Sequence, residues 1–155
     1  MEKSQKRLDS LDQFLETHSP GIEKALKEHM PGAPFGFEKQ FNAAVDQALA
    51  TEETRVMPIL VMLGAELVDG DAGDVLPVTA AVEFIRSSAQ VFDKTSVVEA
   101  SNLNQNADSL VKTNDEDIAV SVGIGLLNAA YPLVFVNHAG MPERAMQAHA
   151  EIVEC

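Results

Sequence analysis

The stretch LPVTAAVEFIRSSAQVFD, residues 76–93, decides the fold class of this chain. Its apolar side chains recur at intervals of four, three, four and three residues: Val78, Val82, Ile85, Ala89 and Phe92. That spacing places them on one face of an α-helix. The stretch therefore predicts a helix that packs through an apolar face in a helical bundle.

Helical spacing continues on both sides of this stretch. Seven helices are predicted, over about 8–15, 20–30, 37–50, 56–68, 76–98, 115–137 and 142–153. Ser19 before Pro20 is a typical helix start, so we expect a break between the first two helices. The helix at 56–68 is apolar nearly all round, which predicts a central, buried helix. Pro132 is expected to kink or divide the helix at 115–137.

Length and composition indicate a single all-α domain over residues 1–155. The chain has a mass of 16.7 kDa, 46% hydrophobic residues and 23% charged residues, a balance typical of globular proteins. The net charge of -13 would repel nucleic acid and anionic membrane surfaces, so neither is expected as a partner. The only cysteine is Cys155, and no signal peptide is evident. A cytoplasmic location is therefore predicted.

The apolar segment 118–136 is nearly as long as a membrane-spanning helix, which needs about 20 residues. Gly123, Gly125 and Pro132 interrupt it, and the residues before it are acidic rather than basic. We therefore expect a buried core helix and no membrane span.

A search for catalytic and metal-binding patterns finds none. The four histidines lack the spacing of metal ligands: His18, His29, His138 and His149. The acidic run 69–74 resembles a calcium loop, but Asp74 and Ala80 stand where an EF-hand needs glycine and glutamate. No metal, no cofactor and no catalytic residue are therefore predicted from the residues alone.

Three segments resemble motifs of the trans-isoprenyl diphosphate synthase family. Residues 51–60, TEETRVMPIL, followed by GAEL at 64–67, resemble the motif GGKRxRPxL…AAE. Residues 76–93 resemble LPxAAAxExIHxASLxHDD, and IAVSVGIGLL at 118–127 resembles AxxxAGDxLL. The resemblance covers about residues 37–136 and implies the first half of the isoprenoid synthase fold, in a shortened member of the family.

Several positions depart from these motifs. Synthases of this family hold Mg²⁺ with the aspartates of DDxxD, and here those five positions are DKTSV, from Asp93 to Val97. Glu52, Glu53 and Thr54 replace the diphosphate-binding GGK, while Arg55 is retained. Without metal or cations a diphosphate leaving group lacks electrostatic stabilisation. The resemblance with these losses predicts a catalytically degenerate protein that is not an enzyme.

The resemblance also implies a candidate apolar site. In the family, the prenyl tail runs between the helices, away from the aspartates. The residues expected to line such a slot are Ile85, Ser88, Ala89, Phe92, Val122 and Leu126. A hydrophobic ligand, isoprenoid or fatty, is therefore predicted. The alternative is that these side chains close on one another as ordinary core.

Two further expectations concern partners. A homodimer is predicted, because segments 56–68 and 118–136 are too apolar to face water and Gly123 and Gly125 permit close helix packing. The other interpretation of the function is a regulatory or interaction subunit that pairs with an intact prenyl synthase.

Overall fold

The structure is a computed structural model that describes residues 2–50, 55–100, 116–137 and 140–154. Its elements are α1 (Glu2–Glu28), α2 (Glu38–Leu49), α3 (Val56–Glu66), a 3₁₀ helix (Ala72–Val75), α4 (Leu76–Ala100), α5 (Glu116–Asn137) and α6 (Pro142–Glu154). Every regular element among the described residues is helical, which confirms the all-α prediction. The sequence also predicts an exposed loop at 102–106, which lies outside the described residues, as do residues 51–54, His138 and Cys155.

The core forms where α4 packs along α5. Phe84 of α4 and Val122, Leu126 and Ala130 of α5 are completely buried there. α1 and α3 pack on α4, α2 lies against both α4 and α5, and α6 packs on α5. α4 is therefore the central helix of the described bundle, and α3, which was predicted to be central, lies at its side.

The predicted break at Ser19 and Pro20 is wrong, because α1 continues through both residues as one helix. The hydroxyl of Ser19 does not cap a new helix; it donates a 2.6 Å hydrogen bond to the carbonyl oxygen of Leu15, one turn earlier. Ile22 and Leu26 on the next turns are buried in the core. This burial holds the helix together across the proline, whose own N–H is missing.

The loop between α1 and α2 contains a tight turn. The N–H of Phe37 donates to the carbonyl oxygen of Pro34 at 3.1 Å, and Gly36 has a φ of 86°. The carboxylate of Glu38 accepts a hydrogen bond from the N–H of Gly36, and backbone hydrogen bonds from Glu38 itself and Gly36 lower the pKa of Glu38. The turn thus sets the direction from which α2 enters the bundle.

α5 is a single helix that contains Pro132, so the proline does not divide it. Asp117–Val136 is long and apolar enough to cross a membrane by length and composition alone, and 39% of the apolar window is buried inside the fold. Its buried face packs on α4, whereas Asp117, Ser121 and Asn128 lie on its exposed face. Core helices of water-soluble proteins share this combination of length and hydropathy.

Candidate functional site

The apolar stripe of α4 forms one helix face, as the spacing predicts, but that face is the open side of the helix. Val78, Val82 and Ile85 are partly buried, and Ala89 and Phe92 are exposed. The opposite side of α4 is buried and carries Phe84 and Val91 together with small or polar residues: Thr79, Ala80, Ala81, Glu83, Ser87 and Ser88. The stripe is therefore the less buried side of α4, although Ile85 packs against the core and Phe92 packs against Gly123. Small side chains let α5 approach on the other side.

The open stripe is a long, narrow apolar surface. Fourteen residues separate Val78 from Phe92, which corresponds to roughly 21 Å along a helix axis. Asp93 and Lys94 are exposed just beyond Phe92, at the last described turn of side chains on α4. One end of the stripe is therefore charged, and the rest of it is apolar. This arrangement suits a ligand that has a polar head group and an apolar tail.

Three of the predicted slot residues lie behind the stripe in the packed interior. Val122 and Leu126 of α5 are completely buried, and Ser88 is 1% exposed. The Ser88 hydroxyl donates a 2.8 Å hydrogen bond to the carbonyl oxygen of Gly123. Ile85, Ala89 and Phe92 lie on the open side of α4. The structure thus divides the predicted set between a surface stripe and the contact of α4 with α5.

Phe92 connects these two groups. An added Cβ at Gly123 would lie 2.8 Å from Cζ of Phe92, so the ring rests directly on the glycine backbone of α5. The side chain is nevertheless 36% exposed. Rotation of this one ring would expose the backbone of α5 next to the stripe.

A second cluster of functional interest surrounds Arg55 and was missed by the sequence reasoning. Its guanidinium donates to Glu23 at 2.8 Å, to Glu83 at 2.9 Å and to the carbonyl oxygen of Leu49 at 2.8 Å. Glu83 is 1% exposed and also accepts hydrogen bonds from Arg86. A glutamate in an otherwise small and apolar helix face was the available signal, because a buried carboxylate needs a cation.

The positive charges of Arg55 and Arg86 are paired with the negative charges of Glu23 and Glu83 in this cluster. Burial alone would lower the pKa of Arg55, but its hydrogen bonds and charge interactions with Glu23 and Glu83 outweigh that effect and raise the pKa. Arg55 therefore stays protonated and ties α1, the end of α2 and the start of α3 to α4. A cleft of about 330 Å³ lies beside it, with Lys27 and Asp46 among its lining residues.

No metal site is found in the side chains that the structure describes: nowhere among them do three His, Cys, Asp or Glu residues come close enough to share an ion. Of the positions that correspond to DDxxD in the resembled family, Asp93 and Lys94 lie at the surface. The side chains of Thr95, Ser96 and Val97 lie outside the described set.

Comparison with known proteins shows which proteins this chain is similar to. Geranylgeranyl pyrophosphate synthase 3 of Arabidopsis thaliana is 32% identical over 111 residues, which are 70% of this chain and 31% of that protein. Heterodimeric geranylgeranyl pyrophosphate synthase large subunit 2 of the same plant is 27% identical over 121 residues, 77% of this chain and 31% of that protein. No protein-family model matches the chain.

A solved structure is also similar to this chain. The geranyltransferase from Legionella pneumophila superposes with a TM-score of 0.68 and 26% identity, over 90% of this chain and 46% of the geranyltransferase chain. These matches support membership of the trans-isoprenyl diphosphate synthase family. The fold of the chain is the all-α isoprenoid synthase fold, and the chain spans about a third of the length of the curated relatives it matches.

These relatives overturn one prediction. The chain was predicted not to be an enzyme, because the residues at several motif positions differ from those of synthases. Its relatives are themselves named as synthases, and the similarity extends over 70% or more of this chain. The relatives are thus enzymes, and the substitutions at these motif positions are not sufficient grounds for assigning the chain to a non-enzyme class.

Proposed function

We propose that this isoprenoid synthase-like protein binds a hydrophobic chain, isoprenoid or fatty, along the open stripe of α4. The observation that carries the proposal is the exposure of the stripe: Val78, Val82, Ile85, Ala89 and Phe92 share one face, and that face is incompletely covered. A continuous apolar surface that is only partly covered is typical of a binding site. The relatives are named for geranylgeranyl pyrophosphate, whose long isoprenoid chain has the required chemistry.

The proposed ligand lies with its polar head near Asp93 and Lys94 and its tail toward Val78. Ala89 leaves space next to the helix, and Phe92 rotates from Gly123 to cover the tail or to admit it between α4 and α5. Ser88, Val122 and Leu126 form the second layer of the site, which the tail reaches only after Phe92 moves. Each CH₂ that is removed from water contributes about 0.8 kcal/mol, so longer chains bind more tightly until the stripe is filled.

The test uses three isoprenoid alcohols of increasing length: geraniol, farnesol and geranylgeraniol. Affinity, measured by competition with a fluorescent fatty acid, is expected to rise with length and to change little with salt. Ala89→Phe fills part of the stripe, so it is expected to weaken binding of geranylgeraniol by about tenfold and to affect binding of geraniol little. Ala43→Phe, at an exposed position of α2, is the matched control. Affinities that are independent of chain length, or equal effects of the two substitutions, would disprove this assignment.

A second candidate function is a subunit that pairs with an intact prenyl synthase. Two relatives are named as large subunits of heterodimeric geranylgeranyl pyrophosphate synthases, which favours this candidate. Co-expression with a full-length geranylgeranyl pyrophosphate synthase and size-exclusion chromatography test it. Co-elution in a fixed ratio supports pairing, and separate elution of the two proteins at micromolar concentration argues against it.

Self-association through α5 is proposed separately. Ile124 and Phe135 lie on the exposed face of α5, where a second copy of the chain would cover them. Sedimentation of the chain alone distinguishes a monomer of 16.7 kDa from a dimer. Ile124→Glu is expected to dissociate a dimer formed by this face, whereas Gly125 packs against Phe41 within the chain and does not test it.

A further inference from the structure

The outer side of α3 and the turn that follows it form a continuous apolar face that none of the described residues covers. Five large apolar side chains on it are between 44% and 85% exposed: Val56, Met57, Leu60, Leu67 and Val68. Gly64 lies among them, and a side chain added there would meet nothing within 4 Å. Only Pro58, Ile59 and Met62, on the opposite side of the helix, are buried. Scattered apolar side chains are ordinary on a surface, but a continuous helix face marks an interaction site.

The dimensions of this face match a helical partner. From Val56 to Val68 it extends for roughly 18 Å, or three to four helical turns. The side chains recur at intervals of three and four residues, and they leave a shallow groove at Gly64 into which the ridge of a second helix can pack. An amphipathic helix would therefore cover the face along its full length.

Charge indicates what kind of helix fits. Between Val56 and Ile85 the sequence contains five acidic residues and no lysine, arginine or histidine. Glu83 is buried against two arginines, while the other four, at the C-terminal end of α3, are exposed: Glu66, Asp69, Asp71 and Asp74. His18, with Nε2 3.9 Å from Glu66, contacts this acidic group from α1. The C-terminal end of a helix carries a partial negative charge of its own.

We propose that this α3 face is the docking site of a partner protein that presents a basic amphipathic helix. Its apolar side chains would cover Leu60 and Leu67, and its lysines and arginines would reach Glu66, Asp69 and Asp74. A second copy of this chain is a poor occupant, because it brings another acidic surface and another net charge of -13. This inference does not depend on the ligand proposed for α4.

Two fluorescent peptides of about eighteen residues, long enough to span the face, test the proposal. They share one leucine stripe, and all other positions are lysine in the first peptide and glutamate in the second. Fluorescence anisotropy is expected to show binding of the lysine peptide at least about tenfold tighter than that of the glutamate peptide. Leu60→Gln and Leu67→Gln each keep the net charge and are expected to weaken binding of the lysine peptide by about tenfold. Met146 is 67% exposed on α6, and Met146→Gln is expected to leave this binding unchanged.

A second set of variants tests the acidic residues at the C-terminal end of α3. The double substitution Asp69→Asn and Asp74→Asn is expected to weaken binding of the lysine peptide several-fold and to make this binding less dependent on salt. Circular dichroism verifies that each variant is folded. If Leu60→Gln and Met146→Gln have equal effects, the peptide binds the acidic surface in general and the proposal fails. It fails equally if sedimentation shows that Leu60→Gln dissociates a homodimer, since the occupant is then a second copy.

Discussion

Ser88 and Gly123 join the two central helices through a buried hydrogen bond of 2.8 Å, from the hydroxyl of Ser88 on α4 to the carbonyl oxygen of Gly123 on α5. The neighbouring hydroxyl of Ser87 is equally buried but has no hydrogen-bond partner among the residues that the structure describes. Two adjacent serines with the same exposure thus differ in one hydrogen bond. The pair offers a direct measurement of what that bond contributes.

Ser88→Ala is expected to lower the free energy of unfolding by about 1 kcal/mol, because the hydrogen bond to Gly123 is lost. Ser87→Ala is expected to leave the free energy unchanged or to raise it, because it removes a buried hydroxyl without a partner. Urea denaturation of the two variants measures the difference. A larger loss from Ser87→Ala than from Ser88→Ala would contradict the assigned hydrogen bonds.

The contact between Phe92 and Gly123 predicts opposite effects of alanine at two helical glycines. Gly64→Ala, with nothing nearby, is expected to stabilise the protein by about 0.5–1 kcal/mol through helix propensity. Gly123→Ala is expected to lack this gain, because the new methyl group displaces the ring of Phe92. Thermal denaturation compares the two variants.

The control for this comparison is a Phe92→Ala background. Without the ring, Gly123→Ala is expected to stabilise the protein as much as Gly64→Ala does. A double-mutant cycle then gives the coupling between Phe92 and Gly123. A coupling near zero would show that the ring does not rest on the glycine in solution.

Gly36 and Gly32 provide a second pair of glycines, in the loop before α2. Gly36 has a φ of 86°, where other L-amino acids are strained, whereas Gly32 has open surroundings and no such backbone requirement. Gly36→Ala is expected to destabilise the protein by about 1–2 kcal/mol, and Gly32→Ala by less than half of that. Urea denaturation measures both, and equal losses would show that the turn at Pro34–Phe37 tolerates an alanine.

The sequence predicts the positions of the helices well and their burial poorly. Apolar spacing places α2 and α6 within about one residue of their ends, because helix periodicity is local. The same spacing cannot tell which face another helix covers. On α4, Phe84 and Val91 are buried together with the small residues Ala80 and Ala81, and the predicted stripe lies on the less buried side of the helix. Burial depends on close approach between distant segments, and sequence spacing does not report this.

The Arg55 cluster could not be predicted for a related reason. Its partners Glu23 and Glu83 are 32 and 28 residues away in sequence, on different helices. The resemblance to the synthase motif singled out Arg55 as a retained residue, and it gave no indication that two carboxylates enclose it. Only the packing of α1 and α3 on α4 brings these charges together.

The last prediction concerns the unequal burial of the two carboxylates that hold Arg55. Glu83 is 1% exposed, so Glu83→Ala leaves Arg55 and Arg86 without their buried partner and is expected to cost about 3–5 kcal/mol. Glu23 is 47% exposed and screened by water, so Glu23→Ala is expected to cost less than about 1 kcal/mol. Urea denaturation at neutral pH measures both. Glu83→Gln, which keeps the shape and removes the charge, separates packing from electrostatics: a loss close to that of Glu83→Ala assigns the effect to the charge. Equal losses from Glu23→Ala and Glu83→Ala would mean that water reaches Glu83 as readily as Glu23, and the cluster would then not be the buried clamp of α1, α3 and α4.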